Sequence, residues 1–170
     1  MSTNTPRLSG CLVILNGFPG VGKLTIARSL QSRLTNVETR FIDNHLIIDP
    51  AEAIHPGRGL QHKKFRDTLR HVIFDELKTI SAKDAVLIMT CSLGANGEDA
   101  VVFAEHLEVG HFVFSRSHVD ANLDPPLQIA RHRSIPCYVF TLSCGKEQHM
   151  SRVQSPDRVL GDKSKLAEPG

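Results

Sequence analysis

The chain has 170 residues, 41 % of them hydrophobic and 22 % charged, with a formal net charge of +2. That length suits one domain with a sizeable core. The weak and dispersed charge excludes a massed cationic surface, so neither nucleic acid nor a membrane is an expected partner.

Residues 1–9 read as a flexible N-terminus, and 10–170 as a single domain. The apolar run Cys11 to Leu15 is far too short for a signal-sequence core or a membrane span. Cys11, Cys91, Cys137 and Cys144 lie in or at the end of apolar runs, and no pair has CxxC spacing. They read as buried, reduced thiols, which favours a reducing compartment; cytoplasm is the expected location.

Cys11-Leu-Val-Ile-Leu15 is the first predicted strand. It runs into Asn16-Gly-Phe-Pro-Gly-Val-Gly-Lys-Leu-Thr25, with the frame G-x-x-G-x-G-K-x-T, a form of the Walker A loop. Gly17, Gly20 and Gly22 allow the backbone to bend round phosphates with no side chain in the way. Their amides, with those of Phe18, Pro19's neighbours, Val21, Leu24 and Thr25, make an anion nest at the positive end of the next helix. Lys23 is expected to reach the β- and γ-phosphates. Leu24 stands where many such loops have a magnesium-binding hydroxyl, so Thr25 is better placed for a phosphate oxygen. Mg²⁺ would then be held mainly by nucleotide, water and other residues.

The helix after the loop carries Ile26, Ala27, Leu30 and Leu34 at helical spacing. Thr39 to Asp43 is the second strand, and Asp43 falls at its carboxyl end, on the sheet edge that carries the loop. A carboxylate there is a candidate proton acceptor or metal orienter; a helix cap or turn residue is the structural alternative. His45 and Asp49 are candidates for an acceptor pocket, and Arg58, between two glycines, is either a contact for an anionic acceptor or a solvent-facing loop residue.

Residues 61–80 form the clearest helix, with Phe65, Leu69, Val72, Ile73, Leu77 and Ile80 as its apolar stripe. Ala85 to Met89 is apolar throughout, as expected of a strand buried on both faces. It ends in Met89-Thr-Cys-Ser92 with no Walker B carboxylate. Asn96 reads as the N-cap of a helix over 97–108. Residues 109–128, with Pro125-Pro126, break the pattern and read as an irregular insertion or a lid. Cys137 to Leu142 is the fourth strand, and a short helix follows near 146–153. The nine histidines include no set with partners at metal-ligand spacing, so no protein-held metal is expected. Alternating strands and helices predict a three-layer α/β P-loop domain with a parallel sheet.

The loop Gly17 to Thr25 resembles that of adenylate kinases and related small-molecule kinases, including the chloramphenicol phosphotransferase-like group. It is also similar to uncharacterised AAA-type P-loop proteins of fungi and bacteria. Segments like Phe41 to Pro50, and like Ser155 to Gly161 followed by Lys165-Leu166, recur in those proteins. The resemblance implies sheet order 2-3-1-4, ATP with Mg²⁺ as cofactors, and transfer of a phosphoryl group to an unidentified small-molecule acceptor. It makes Asp43 the base or metal orienter, and Arg152 and Arg158 lid arginines over the phosphates; Lys163 and Lys165 are weaker candidates. Related kinases usually continue with a further helix and often a fifth strand, so adenine recognition is expected to be incomplete. The missing third-strand carboxylate, the early chain end and the irregular 109–128 segment keep open a non-catalytic or vestigial nucleotide-binding protein, and a simple NTP hydrolase is a variant of the kinase reading.

Overall fold

A computed structural model of the chain describes residues 10–92 and 125–154. Residues 1–9, expected to be flexible, the expected Asn96 cap and helix over 97–108, residues 109–124, Arg158, Lys163 and Lys165 lie outside the described residues. Four strands, β1 (Cys11–Asn16), β2 (Thr39–Ile42), β3 (Val86–Thr90) and β4 (Cys137–Thr141), form one sheet in the order β2-β3-β1-β4. All pairings are parallel, which bears out the expected order. The register aligns Leu15 with Thr90 and Asn16 with Thr141, so the strand ends share one edge.

Successive side chains of a strand point to opposite faces, and β1 divides accordingly. Leu12 and Ile14 join Leu87, Met89 and Ile42 in one cluster, packed by α2 (His45–Ile54), α3 (Leu60–Thr79) and α4 (Pro125–Arg133). Val13 and Leu15 join Val86 and Ile88 on the other face against α1 (Lys23–Arg33), through Ala27 and Leu30. A last helix, α5 (Lys146–Val153), follows β4. The result is three layers. β3 is buried along its whole length, as its unbroken apolar sequence requires.

Three sequence expectations need adjusting. Ile26 and Val72, placed in the apolar stripes, are exposed, and Phe74, left out, is buried. Neighbouring helix positions are rotated by about 100°, so a stripe centred on Ala27, or on Ile73 and Leu77, turns the adjacent residue outward. Residues 125–128 of the irregular segment belong to α4, which opens on its two prolines; proline suits a first helical turn, where N–H groups have no partner. Of the four thiols, all free, only Cys91 is buried; the other three are half-buried, and burial pushes the Cys11 thiol upward.

Helix α2 is an element the sequence pattern conceals. It contains Pro50, which has no N–H to give to the preceding turn. Burial of Ile47, Ile48 and Ala51 offsets that loss. At the far end of the sheet, the Arg133 guanidinium donates to the carbonyls of Leu77 and Ile80, at the end of α3, and of Ala82 in the turn beyond it.

Candidate functional site

The turn between β1 and α1 sits at the carboxyl edge of the sheet, near its middle. Gly17 has φ +145° there, and a Cβ on it would lie 2.5 Å from the Leu142 carbonyl oxygen, so only glycine fits. Gly20, at φ +92°, passes so close to α5 that a Cβ would stand 2.9 Å from a Val153 methyl. Gly22 enters α1 at φ +100°, and no side chain among the described residues caps the helix. The first-turn amides of Lys23, Leu24 and Thr25 therefore face the loop without an intrahelical acceptor. Lys23 Nζ folds back to donate to the carbonyls of Gly17 and of Phe18, the latter at 2.9 Å. Val21 is buried, Leu24 half-buried, and Phe18 and Thr25 are exposed.

Two distant segments complete the loop. Ser92 Oγ, at the end of β3, donates to the Gly17 carbonyl at 3.2 Å. His149 Nε2 lies 2.7 Å from the Pro19 carbonyl oxygen; since a carbonyl only accepts, that nitrogen carries the hydrogen. The His149 ring also meets Phe18, centroid to centroid at 6.2 Å. Arg152, one helical turn on, points Nη1 at the Val21 carbonyl, 3.5 Å away. Thus α5 covers the loop with His149, Arg152 and Val153 on one face, the i, i+3, i+4 spacing of a helix. Arg152, expected to be a lid arginine over the phosphates, lies against the loop carbonyl of Val21, and the contact of His149 was missed.

Asp43 lies just past β2 and is 8 % exposed. Its Oδ1 accepts from Thr90 Oγ1 at 3.0 Å and from the His45 N–H at 3.3 Å, and Thr90 Oγ1 in turn accepts from the Asn44 N–H at 2.9 Å. The carboxylate therefore does cap the start of α2, the structural alternative raised above. Thr90, which ends β3 where a Walker B carboxylate was looked for, holds it there. A continuous path then links Asp43 to the loop: Thr90, Cys91 bonded through its N–H to the Leu15 carbonyl at 2.9 Å, Ser92, Gly17 and Lys23. His45 pairs with Asp49 at 2.8 Å across one turn of α2. Arg58 is exposed in the turn between α2 and α3, at φ +56°.

The glycine cradle and open helix start fit a polyphosphate. Among the described residues no group of three or more His, Cys, Asp or Glu side chains can hold a metal ion. None of the described helices is long and apolar enough to cross a membrane.

No family model and no curated protein matches the chain. Among solved structures, one described as the crystal structure of APE1195 is similar, with a TM-score of 0.53 and 17 % identity over 95 % of this chain and 80 % of that one. The Mycobacterium tuberculosis APS kinase CysC, in complex with AMPPNP and APS, gives a TM-score of 0.51 and 13 % identity over 95 % of this chain and 84 % of that one. At such identities the likeness is one of fold. The chain has the three-layer α/β P-loop NTPase fold that small-molecule kinases use, with no closer family assigned.

Proposed function

We propose that the chain binds ATP with Mg²⁺ and transfers the γ-phosphoryl group to the hydroxyl of a small molecule. The observation that carries the reading is the loop itself: three glycines at positive φ, a helix start with no side-chain cap among the described residues, and Lys23 folded back onto the Gly17 and Phe18 carbonyls. Backbone amides and the Lys23 ammonium would grip the β- and γ-phosphates, and Arg152, with Arg158, would oppose charge that spreads over the transferred group. The acceptor oxygen bonds to the γ-phosphorus as the bond to the β-phosphate oxygen breaks; ADP leaves and the hydroxyl proton passes to the Asp43 carboxylate. No cluster among the described residues can hold Mg²⁺, so the ion would arrive on the nucleotide, with Asp43 as the candidate to orient it, and would neutralise phosphate charge.

The test is ADP formation from ATP by purified protein against a panel of sugars, nucleosides, amino alcohols and hydroxy acids. Acceptor-dependent turnover supports the reading, and its absence across the panel sinks it. One observation favours a second reading, nucleotide binding without catalysis. Asp43 Oδ1 is already engaged by Thr90 and the start of α2. Tight ATP binding with no turnover, unaltered in Asp43→Asn, would decide for it.

A further inference from the structure

The sheet has two edges, and they are guarded differently. At β2, Arg40 pairs with Glu38 just before the strand, both about half exposed. Charged side chains on an edge strand discourage pairing with another chain. At the other edge, β4 reads Cys137-Tyr-Val-Phe-Thr141 and carries no charge. Its Tyr138, Val139 and Phe140 are 38 %, 40 % and 40 % exposed, although the neighbouring β1 is buried from Leu12 onward.

The layers explain this exposure. Cys137 packs on the cluster beneath α2, α3 and α4, so the two-residue period of a strand puts Val139 and Thr141 on the same face. Tyr138 and Phe140 lie on the side of α1, in register with Val13 and Leu15. Helix α1 packs mainly on β1, β2 and β3, and the two rings are left partly bare.

The backbone of β4 is open on the same side. The Pro136 carbonyl accepts from the Leu12 N–H and the Leu142 N–H donates to the Asn16 carbonyl, both at 2.8 Å. Backbone groups alternate between the two sides of a strand, so Val139 and Thr141 turn their N–H and C=O groups away from β1. No strand pairs with that edge among the described residues.

We propose that this edge pairs with β4 of a second copy of the chain, antiparallel about a two-fold axis at Val139. The strand is complementary to itself in that register. Val139 meets its own counterpart as a hydrogen-bonded pair, since both turn their backbone groups outward. Tyr138 then stands opposite Phe140 twice, in the closer non-hydrogen-bonded positions, where aromatic pairs stabilise a sheet. No like charges meet across the strands. The two four-stranded sheets become one, with their phosphate loops on opposite edges and both open. Such an interface is small beside the roughly 1,600 Å² of a standard complex, so the dimer forms only at concentrations on the order of 10 µM or above. None of this rests on phosphotransfer.

Sedimentation equilibrium of the full chain, over about a hundredfold range of concentration, should show the average mass rising from one chain toward two. Val139→Lys and Val139→Glu each set like charges face to face on the axis, and each should weaken the dimer about tenfold. Mixed in equal amounts they should restore it, because the facing charges are then opposite. Val72→Lys, at a more exposed apolar site on α3, should leave it unchanged. Should the charged variants fail to fold, Phe140→Ala carries the test, with the dimer weakened about tenfold by the loss of both aromatic pairs. A mass of one chain at every concentration overturns the proposal, and so does a dimer that survives both charged variants. A mass of one chain together with a lowered melting temperature in Val139→Lys gives the edge to another stretch of the same chain instead.

Discussion

Two strand–turn–helix corners stand on the same edge of the sheet and treat the start of their helices in opposite ways. At the β1–α1 corner, glycines take the backbone through positive φ, and the first amides of α1 are left without a side-chain cap among the described residues. At the β2–α2 corner, Asp43 turns its own carboxylate onto the His45 amide, and Thr90 holds both Asp43 and the Asn44 amide. A helix start that keeps its amides open is suited to an anion brought from outside; one that receives an internal carboxylate is already satisfied. In the phosphotransferase reading, the difference gives the triphosphate to the first corner. It leaves the second to place one carboxylate at a fixed distance along the edge.

The largest expected effect breaks the open corner mechanically. Gly17→Ala puts a methyl group 2.5 Å from the Leu142 carbonyl at φ +145°, and should cost about 3 kcal/mol or more in a denaturant titration. Unchanged stability would mean that the loop is not held as described. Next comes the closed corner. Asp43→Asn keeps an oxygen for Thr90 and His45, so stability should fall by less than about 1 kcal/mol, whereas turnover in the phosphotransferase reading should fall about 10²- to 10⁴-fold. Thr90→Val reverses the pattern. It strips Asp43 and Asn44 of their shared partner and should lower stability by about 1–3 kcal/mol in the same titration. If Asp43→Asn and Thr90→Val have the same signature, Asp43 is a cap and nothing more.

Lys23→Ala sharpens the comparison at the open corner. The lysine's bonds to Gly17 and Phe18 go to carbonyls of its own loop, which water can serve after truncation, so their loss should lower the melting temperature little. Calorimetry should show ATP bound about 10- to 100-fold more weakly, the worth of a hydrogen-bonded charge on phosphate.

The two corners also differ in how much the sequence discloses. The open one is local: strand, glycine spacing, Lys23 and helix follow one another within 23 residues, Cys11 to Arg33, and each supports the next. The closed one depends on partners far along the chain. Asp43 and Thr90 are 47 residues apart, and no local pattern joins them. Helix α2 was concealed by Leu46-Ile-Ile48, which does not separate helix from strand, and by Pro50, which argues against a helix until the burial of Ile47, Ile48 and Ala51 is known. Sheet order became legible through resemblance, because pairing is a long-range choice that strand sequences alone leave open.

The contact of α5 with the loop is the smallest effect and the finest test of this division. His149 is 130 residues from Pro19, yet its Nε2–H supports a carbonyl of the loop that Lys23 and Ser92 also support nearby. If the open corner is shaped by its glycines alone, His149→Ala should leave ATP affinity as it was. If α5 helps to hold the loop, the variant loses one hydrogen bond and the Phe18 ring contact, about 1 kcal/mol, and ATP affinity should drop about fivefold in calorimetry. His149→Gln, whose amide can still donate to Pro19, should then recover most of the affinity. Recovery would place the loop's shape in the hydrogen bond from α5, so that the most legible part of the chain depends, for its last fraction of binding energy, on the least legible.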